Sequence, residues 1–171
     1  MRPTPTPVTP VPPPSPPPNH LRQRLRERLL QTSPAEFERV VGKFLGALGL
    51  SEIHVTGRTA DGGIDGNGIV PVFNLKVCFQ AKRWAMGNNV GSSPVRELVG
   101  SVTTRRYDKG VFITTSAFTA GAREEAEGTE SKVVLIDGDR LVDMMIEKGL
   151  GIREVTVVTQ QELDEEFFQE L

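Results

Sequence analysis

The sequence predicts an α/β fold with elements in the order α-β-β-β-α-β. Three observations point there. A capped helix repeats its apolar residues at helical spacing from Phe37 to Leu48; short strand-like runs separated by glycine-rich chain fill residues 52 to 83; and a second capped helix leads into the apolar run Val111-Phe112-Ile113-Thr114-Thr115. With 171 residues, 37% of them hydrophobic, the chain has material for one core.

Ten of the 13 prolines lie between Pro3 and Pro18, mixed with Thr, Val and Ser. That composition favours extended polyproline II, so residues 1–18 are expected to be a disordered proline-rich tail reaching on the order of 50 Å at ~3.1 Å per residue. A spacer is the simpler reading of it, and attachment to a proline-binding partner protein the more specific one. Residues 19–31 form a basic segment with Leu21, Leu25 and Leu29 at helical spacing among Arg22, Arg24, Arg26 and Arg28. An amphipathic helix that packs its leucines is expected, with the arginines in solvent or on DNA phosphates.

Ser33-Pro34-Ala35-Glu36 marks a helix start, with a serine cap, proline at the first helical position and glutamate three after the cap. Phe37, Val40, Val41, Phe44, Leu45 and Leu48 give that helix its apolar stripe, and Gly49 ends it. Strands are expected over 52–56, in the stretch following the glycine-rich residues 61–68, and over 73–83. Ser93-Pro94 opens a helix carrying Val95, Leu98, Val99 and Val102, and a strand follows at 111–115. Residues 120–127 read as helix, 132–136 as strand and 141–148 as helix ending at Gly149; the folded domain should run from 33 to 158, its end having β character over 154–158. An acidic helix or tail covers 159–171.

Charge and cysteine content remove several function classes. Lys and Arg total 20 against 22 Asp and Glu, so a polyanion would need a local basic surface rather than the field of the whole chain. Cys78 is the single cysteine and His20 and His54 have no ligand-like spacing, which excludes an intramolecular disulfide, a thiolate zinc cluster and a histidine-rich metal site. No apolar signal region and no membrane-length apolar run occur, so a cytoplasmic protein with no membrane partner is expected.

The chemistry concentrates in Asp61-Gly62-Gly63-Ile64-Asp65 and Gln80-Ala81-Lys82-Arg83. Strand alternation puts Gln80 and Lys82 on one face, and an antiparallel hairpin would bring Asp65 within reach of them. Phosphodiester hydrolysis needs charge neutralisation, an activated water and stabilisation of the leaving oxygen. Asp65 is suited as an anionic ligand of Mg²⁺, the Gln80 side-chain carbonyl and the Ala81 backbone carbonyl as neutral oxygens, and Lys82 as the group that orients water or meets developing charge. Both aspartates are also readable as turn residues, and Asp61 is taken as one. Thr114, Thr115 and Ser116 read as local structure with some access to substrate, Cys78 as a small buried side chain, and Trp84 as a packing residue.

Several blocks in the right order resemble the Mrr-like restriction endonuclease catalytic domain, a branch of the PD-(D/E)xK nuclease superfamily. They are Phe37-Glu38, Val55-Thr56-Gly57, the 61–65 and 80–83 blocks, Val95-Arg96-Glu97-Leu98-Val99-Gly100, Gly110-Val111-Phe112-Ile113-Thr114-Thr115-Ser116 and Leu135-Ile136-Asp137-Gly138. The resemblance covers roughly residues 33 to 147. It implies a restriction-endonuclease-like core, a central mixed sheet flanked by helices, in which Asp65 is a metal ligand and Gln80 and Lys82 stand where most of the superfamily has acid-x-lysine. It implies also that Glu38 contributes from the first helix as an outer member of the metal site.

A metal-dependent DNA endonuclease of the restriction type, modified DNA included among its substrates, follows as the expected function, with Mg²⁺ as cofactor and Mn²⁺ as its substitute. The neutral Gln80 leaves fewer carboxylates than usual, so divalent ion binding should be weak. No segment long enough for a winged helix precedes Ser33, which leaves low specificity, a partner, or recruitment through the proline tail as the alternatives. A homodimer would fit double-strand cutting. The rival readings are a catalytically inactive DNA-binding or recruitment protein on a nuclease fold and a Holliday-junction-type resolvase.

Overall fold

The computed structural model describes residues 18–56, 63–128 and 132–154. The proline segment up to residue 17, Asp61, most of the β-like stretch expected over 154–158 and the acidic C-terminal segment lie outside the described residues.

A five-stranded mixed sheet forms the centre. Its strands β1 (Ser51–Val55), β2 (Gly66–Val70), β3 (Leu75–Lys82), β4 (Lys109–Thr114) and β5 (Val133–Ile136) lie side by side in chain order. The first three are antiparallel, joined by short connections; β3, β4 and β5 are parallel, which requires the crossover helices α3 (Ser92–Thr104) and α4 (Ala120–Glu127). Helices α1 (Pro18–Leu30), α2 (Pro34–Ala47) and α5 (Gly138–Glu147) complete the molecule.

Alternation along β3 divides the interior in two. Val77, Phe79 and Ala81 join the cluster built with Leu25, Leu29, Phe37, Val41, Phe44, Leu141 and Met145, the contribution of α1, α2 and α5. Cys78 points the other way, into the cluster of Val95, Leu98, Val102, Phe112, Phe118 and Ala122 from α3, α4 and their strands. Both faces of the strand are covered, as parallel pairing with crossovers demands. Gln80 and Lys82 therefore leave the sheet on the Cys78 face, at the carboxyl end of β3.

The first large helix is capped as its sequence dictates. The Ser33 hydroxyl accepts from the Glu36 N–H and the Glu36 carboxylate accepts from the Ser33 N–H. At the other end Gly49 takes φ +98°, and the Leu50 N–H closes on the Leu45 carbonyl. Helix α1 buries Leu25 and Leu29 and turns Arg22 and Arg26 toward α5, where they pair with Asp143 and Asp139.

Two local expectations are corrected. Helix α3 begins at Ser92 with Gly91 as a cap that offers no side chain, and the Ser93 hydroxyl bonds to Glu97 on the helix surface instead of opening the helix. The third strand starts at Leu75 rather than Phe73. Pro71–Phe73 form a single 3₁₀ turn closed by Asn74 at φ 50°, a left-handed conformation that asparagine tolerates and a strand does not contain.

Candidate active site

Asp65 sits one residue before β2 and is held by the ends of both neighbouring strands. Its backbone N–H donates to the Phe79 carbonyl at 2.9 Å, and its carbonyl accepts from the Thr56 N–H at 2.8 Å. Its carboxylate Oδ2 accepts from the Ala81 N–H at 2.8 Å. One aspartate thus bonds to the residues on either side of Gln80, so the antiparallel pairing of β2 with β3 brings the two together. Glycine permits this close approach. A Cβ on Gly66 would stand 2.3 Å from the Phe79 ring and 2.6 Å from the His54 carbonyl.

Gln80 is 2% exposed, and its Oε1 has no hydrogen-bond donor among the described residues. A buried amide oxygen left unpaired costs roughly 1–3 kcal/mol, so Oε1 is an acceptor open to a donor or a cation. The Gln80 amide packs beneath Gly63, whose φ is +79°, and a Cβ there would lie 2.6 Å from the amide nitrogen. Lys82, two residues on along the same face, is half-buried at the end of the strand.

Glu38, half-buried on α2, lies near enough to Asp65 and Lys82 for their charges to act on it. Burial first, and the Asp65 charge second, push its carboxyl above the ordinary range, while Lys82 and Arg39 pull it down. Burial likewise raises the Asp65 carboxyl, opposed by the Ala81 N–H and by the Lys82 charge. Two carboxylates and one ammonium therefore share a small, partly desolvated volume.

Among the described residues no three of His, Cys, Asp and Glu converge as a metal-ligand group. A hard divalent cation would here lean on neutral oxygens, and Gln80 Oε1, with no donor among the described residues, is one. The donor set fits such an ion: Asp65 and Glu38 supply charge, and Gln80 Oε1 and the Ala81 carbonyl supply neutral oxygen. Both carboxyls, raised by burial and, for Glu38, by Asp65 as well, would be relieved by a cation between them.

Of the hydroxyl residues at the end of β4, Thr114 and Thr115 bond across to β3 and its exit, Thr114 also accepts locally from the Ser116 N–H at 3.1 Å, and the Ser116 hydroxyl donates to Asn89 Oδ1 at 3.4 Å. The Thr114 hydroxyl donates to the Lys82 carbonyl at 2.8 Å and the Thr115 hydroxyl to the Trp84 carbonyl at 2.7 Å. They fix the exit of β3 immediately beyond Lys82. Arg83, which local sequence marks only as a strand end, has a tertiary role. Its Nη1 donates to the Leu30 carbonyl at 3.0 Å and ties the last turn of α1 to the end of β3, across 53 residues of chain that share no local pattern. Cys78 is fully buried and its thiol is pushed up to about 12, chiefly by that burial; Trp84 packs on the second cluster.

Comparison with known proteins converges on one group. Residues 29–145 match the restriction endonuclease family Mrr_cat. The type IV methyl-directed restriction enzyme EcoKMrr of Escherichia coli (strain K12) is 40% identical over 148 residues, covering 84% of this chain and 47% of that enzyme. Among solved structures, the DNA modification-dependent restriction endonuclease AspBHI superposes with a TM-score of 0.63 at 24% identity, covering 89% of this chain and 41% of that one. MspJI restriction endonuclease, in complex with a 27-mer oligonucleotide, gives 0.51 at 24% identity over 74% of this chain and 30% of its own. The chain spans about half the length of the curated relative it matches. The structural likeness bears out the restriction-endonuclease-like sheet, and the match over residues 29–145 shows that the chain belongs to the Mrr catalytic-domain family of restriction endonucleases.

Proposed function

We propose that this chain is the DNA-cleaving unit of a restriction endonuclease acting on modified DNA, hydrolysing phosphodiester bonds with Mg²⁺, for which Mn²⁺ can substitute. The observation that carries the reading is the grip of Asp65 on both neighbours of Gln80, whose buried Oε1 has no donor among the described residues. Asp65, Glu38, Gln80 Oε1 and the Ala81 carbonyl would hold the ion, which supplies Lewis-acid stabilisation of phosphate charge.

The chain's own groups do the rest. Lys82 presents an ammonium beside the carboxylates, where it orients the attacking water and meets the negative charge that grows on the phosphate. The water oxygen bonds to phosphorus as the bond to the leaving oxygen breaks; the water loses its proton and the leaving oxygen gains one. Asp65 and Glu38 act as ionised groups, and no covalent enzyme intermediate is needed. Methyl-directed and modification-dependent action belong by name to EcoKMrr and AspBHI. The same preference in this protein is part of the proposal.

The test is incubation of the purified protein with supercoiled plasmid, methylated and unmethylated, in Mg²⁺, Mn²⁺ or EDTA. Cleavage is expected only with metal, and Lys82→Ala and Asp65→Ala should each lose it while remaining folded. Cleavage that persists in both variants would sink the assignment. DNA binding without cutting would favour the recruitment reading, and preference for branched DNA by a dimer the resolvase reading.

A further inference from the structure

The arginines of α1 fall into two sets. Arg22 and Arg26, four residues apart, face α5 and are matched by Asp139 and Asp143. Arg24 and Arg28, also four apart, are exposed on another face and form no ion pair among the described residues. Together with Arg153 they wall a groove of about 560 Å³ between α1 and residues 151–153. Among the described residues Glu27 is the one carboxylate lining it, and its Oε1 accepts from Gln23 Nε2 at 2.9 Å. The described lining of the groove therefore carries a net positive charge on a chain whose overall charge is −2.

The groove ends beside the catalytic strand. Gln31 lines it, and the carbonyl just before, that of Leu30, receives Arg83, the residue after Lys82. On the other side the Arg28 charge reaches Glu36 in the first turn of α2. The Glu36 carboxyl there lies below its ordinary range, first through the Ser33 backbone N–H and then the Ser33 hydroxyl, with Arg39 and Arg28 adding to the effect. Arg39 acts also on Glu38. The charges of Arg28 and Arg39 thus both reach Glu36, and that of Arg39 reaches Glu38 of the candidate site as well. Arg24 and Arg28 are about 6 Å apart along the helix, a spacing suited to repeated anionic groups.

We propose that this groove seats backbone phosphates of the substrate DNA strand outside the scissile position, with Arg24, Arg28 and Arg153 as their partners. The proposal rests on the nuclease reading for its substrate. Phosphate interactions of this kind position the duplex without reading its sequence, and they explain how a chain with no overall positive charge draws a polyanion.

The experiment measures binding rather than cleavage. The affinity of a fluorescent duplex is followed by anisotropy in EDTA across a range of salt, for the wild type, Arg28→Gln, the combined Arg24→Gln, Arg28→Gln and Arg153→Gln variant, and Arg96→Gln on α3 as a control. All three positions are exposed, and circular dichroism verifies folding. The triple variant should bind at least about tenfold more weakly, with a salt slope shallower by roughly 0.9 for each phosphate it no longer neutralises, Arg28→Gln showing part of both effects and Arg96→Gln neither. An unchanged slope and affinity in the triple variant, or no binding by the wild type, overturns the inference. A wild type that binds through the groove yet cuts no DNA overturns the nuclease reading and leaves the groove standing.

Discussion

Oδ2 of Asp65 accepts the Ala81 backbone N–H at 2.8 Å, so a carboxylate of the proposed metal site also satisfies a buried strand donor. The two duties conflict energetically, because burial penalises the charge that metal binding needs. Asp65→Asn keeps an oxygen for Ala81 and removes the charge. The variant should lose cleavage while gaining about 1 kcal/mol of stability in metal-free buffer, a balance often met when a functional site is neutralised. Thermal unfolding in EDTA checks the second half. A fall in Tm would mean that the ionised carboxylate stabilises the fold and that its burial carries no net penalty.

Gly63 controls the Gln80 side chain from across the hairpin. Its φ of +79° disfavours any other residue, and a Cβ would come within 2.6 Å of the Gln80 amide nitrogen. In Gly63→Ala the amide must rotate or shift, taking Oε1 with it. Stability should fall by roughly 1 kcal/mol from the left-handed backbone alone. The functional loss should exceed that, appearing as a higher Mg²⁺ requirement in a cleavage titration. An unchanged metal requirement would remove Gln80 Oε1 from the ligand set.

The sequence made the scaffold legible where short-range rules act. The Ser33 capping box, the Gly49 stop and the apolar Val111-Phe112-Ile113 centre of β4 each follow from residues within a few positions, and each appears in the structure. The juxtaposition of Asp65 with Gln80 could be anticipated only as a consequence of antiparallel pairing. That one side chain would bond to Ala81 depends on register, which residues in one strand do not encode alone. Arg83 on the Leu30 carbonyl and Gly63 over Gln80 leave no trace in the sequence because both are tertiary approaches between segments with no shared periodicity. Ser93 misleads because Ser-Pro is a frequent helix start, whereas here the preceding Ser92 already belongs to the helix.

Cys78 gives a prediction independent of catalysis. It is fully buried in the α3–α4 cluster, and burial pushes its thiol up to about 12. The reactive form of cysteine is the thiolate, so the native protein at pH 8 should resist alkylation by iodoacetamide and react once denatured. Prompt labelling of the native protein would show that β3 opens on its helix-covered face.

The pH dependence of cleavage follows from the two carboxyls. Burial holds both Asp65 and Glu38 above the ordinary carboxylate range in the metal-free protein. A raised folded-state value means that the folded protein binds protons more readily than the unfolded chain. The stability that these protons confer is fully present below the unfolded value and is lost as pH rises through the folded one. Lowering the pH into that window should therefore stabilise the metal-free protein locally while weakening metal binding, because protons and cation compete for the same oxygens. At fixed subsaturating Mg²⁺ the acidic limb of cleavage should lie above the pH at which ordinary carboxylates titrate, and saturating Mg²⁺ should move it to lower pH. Glu38→Gln removes the carboxyl that burial and the Asp65 charge raise, and should shift the limb downward as it reduces the rate. A limb that ignores both metal concentration and Glu38→Gln would assign the titration to a group outside this pair.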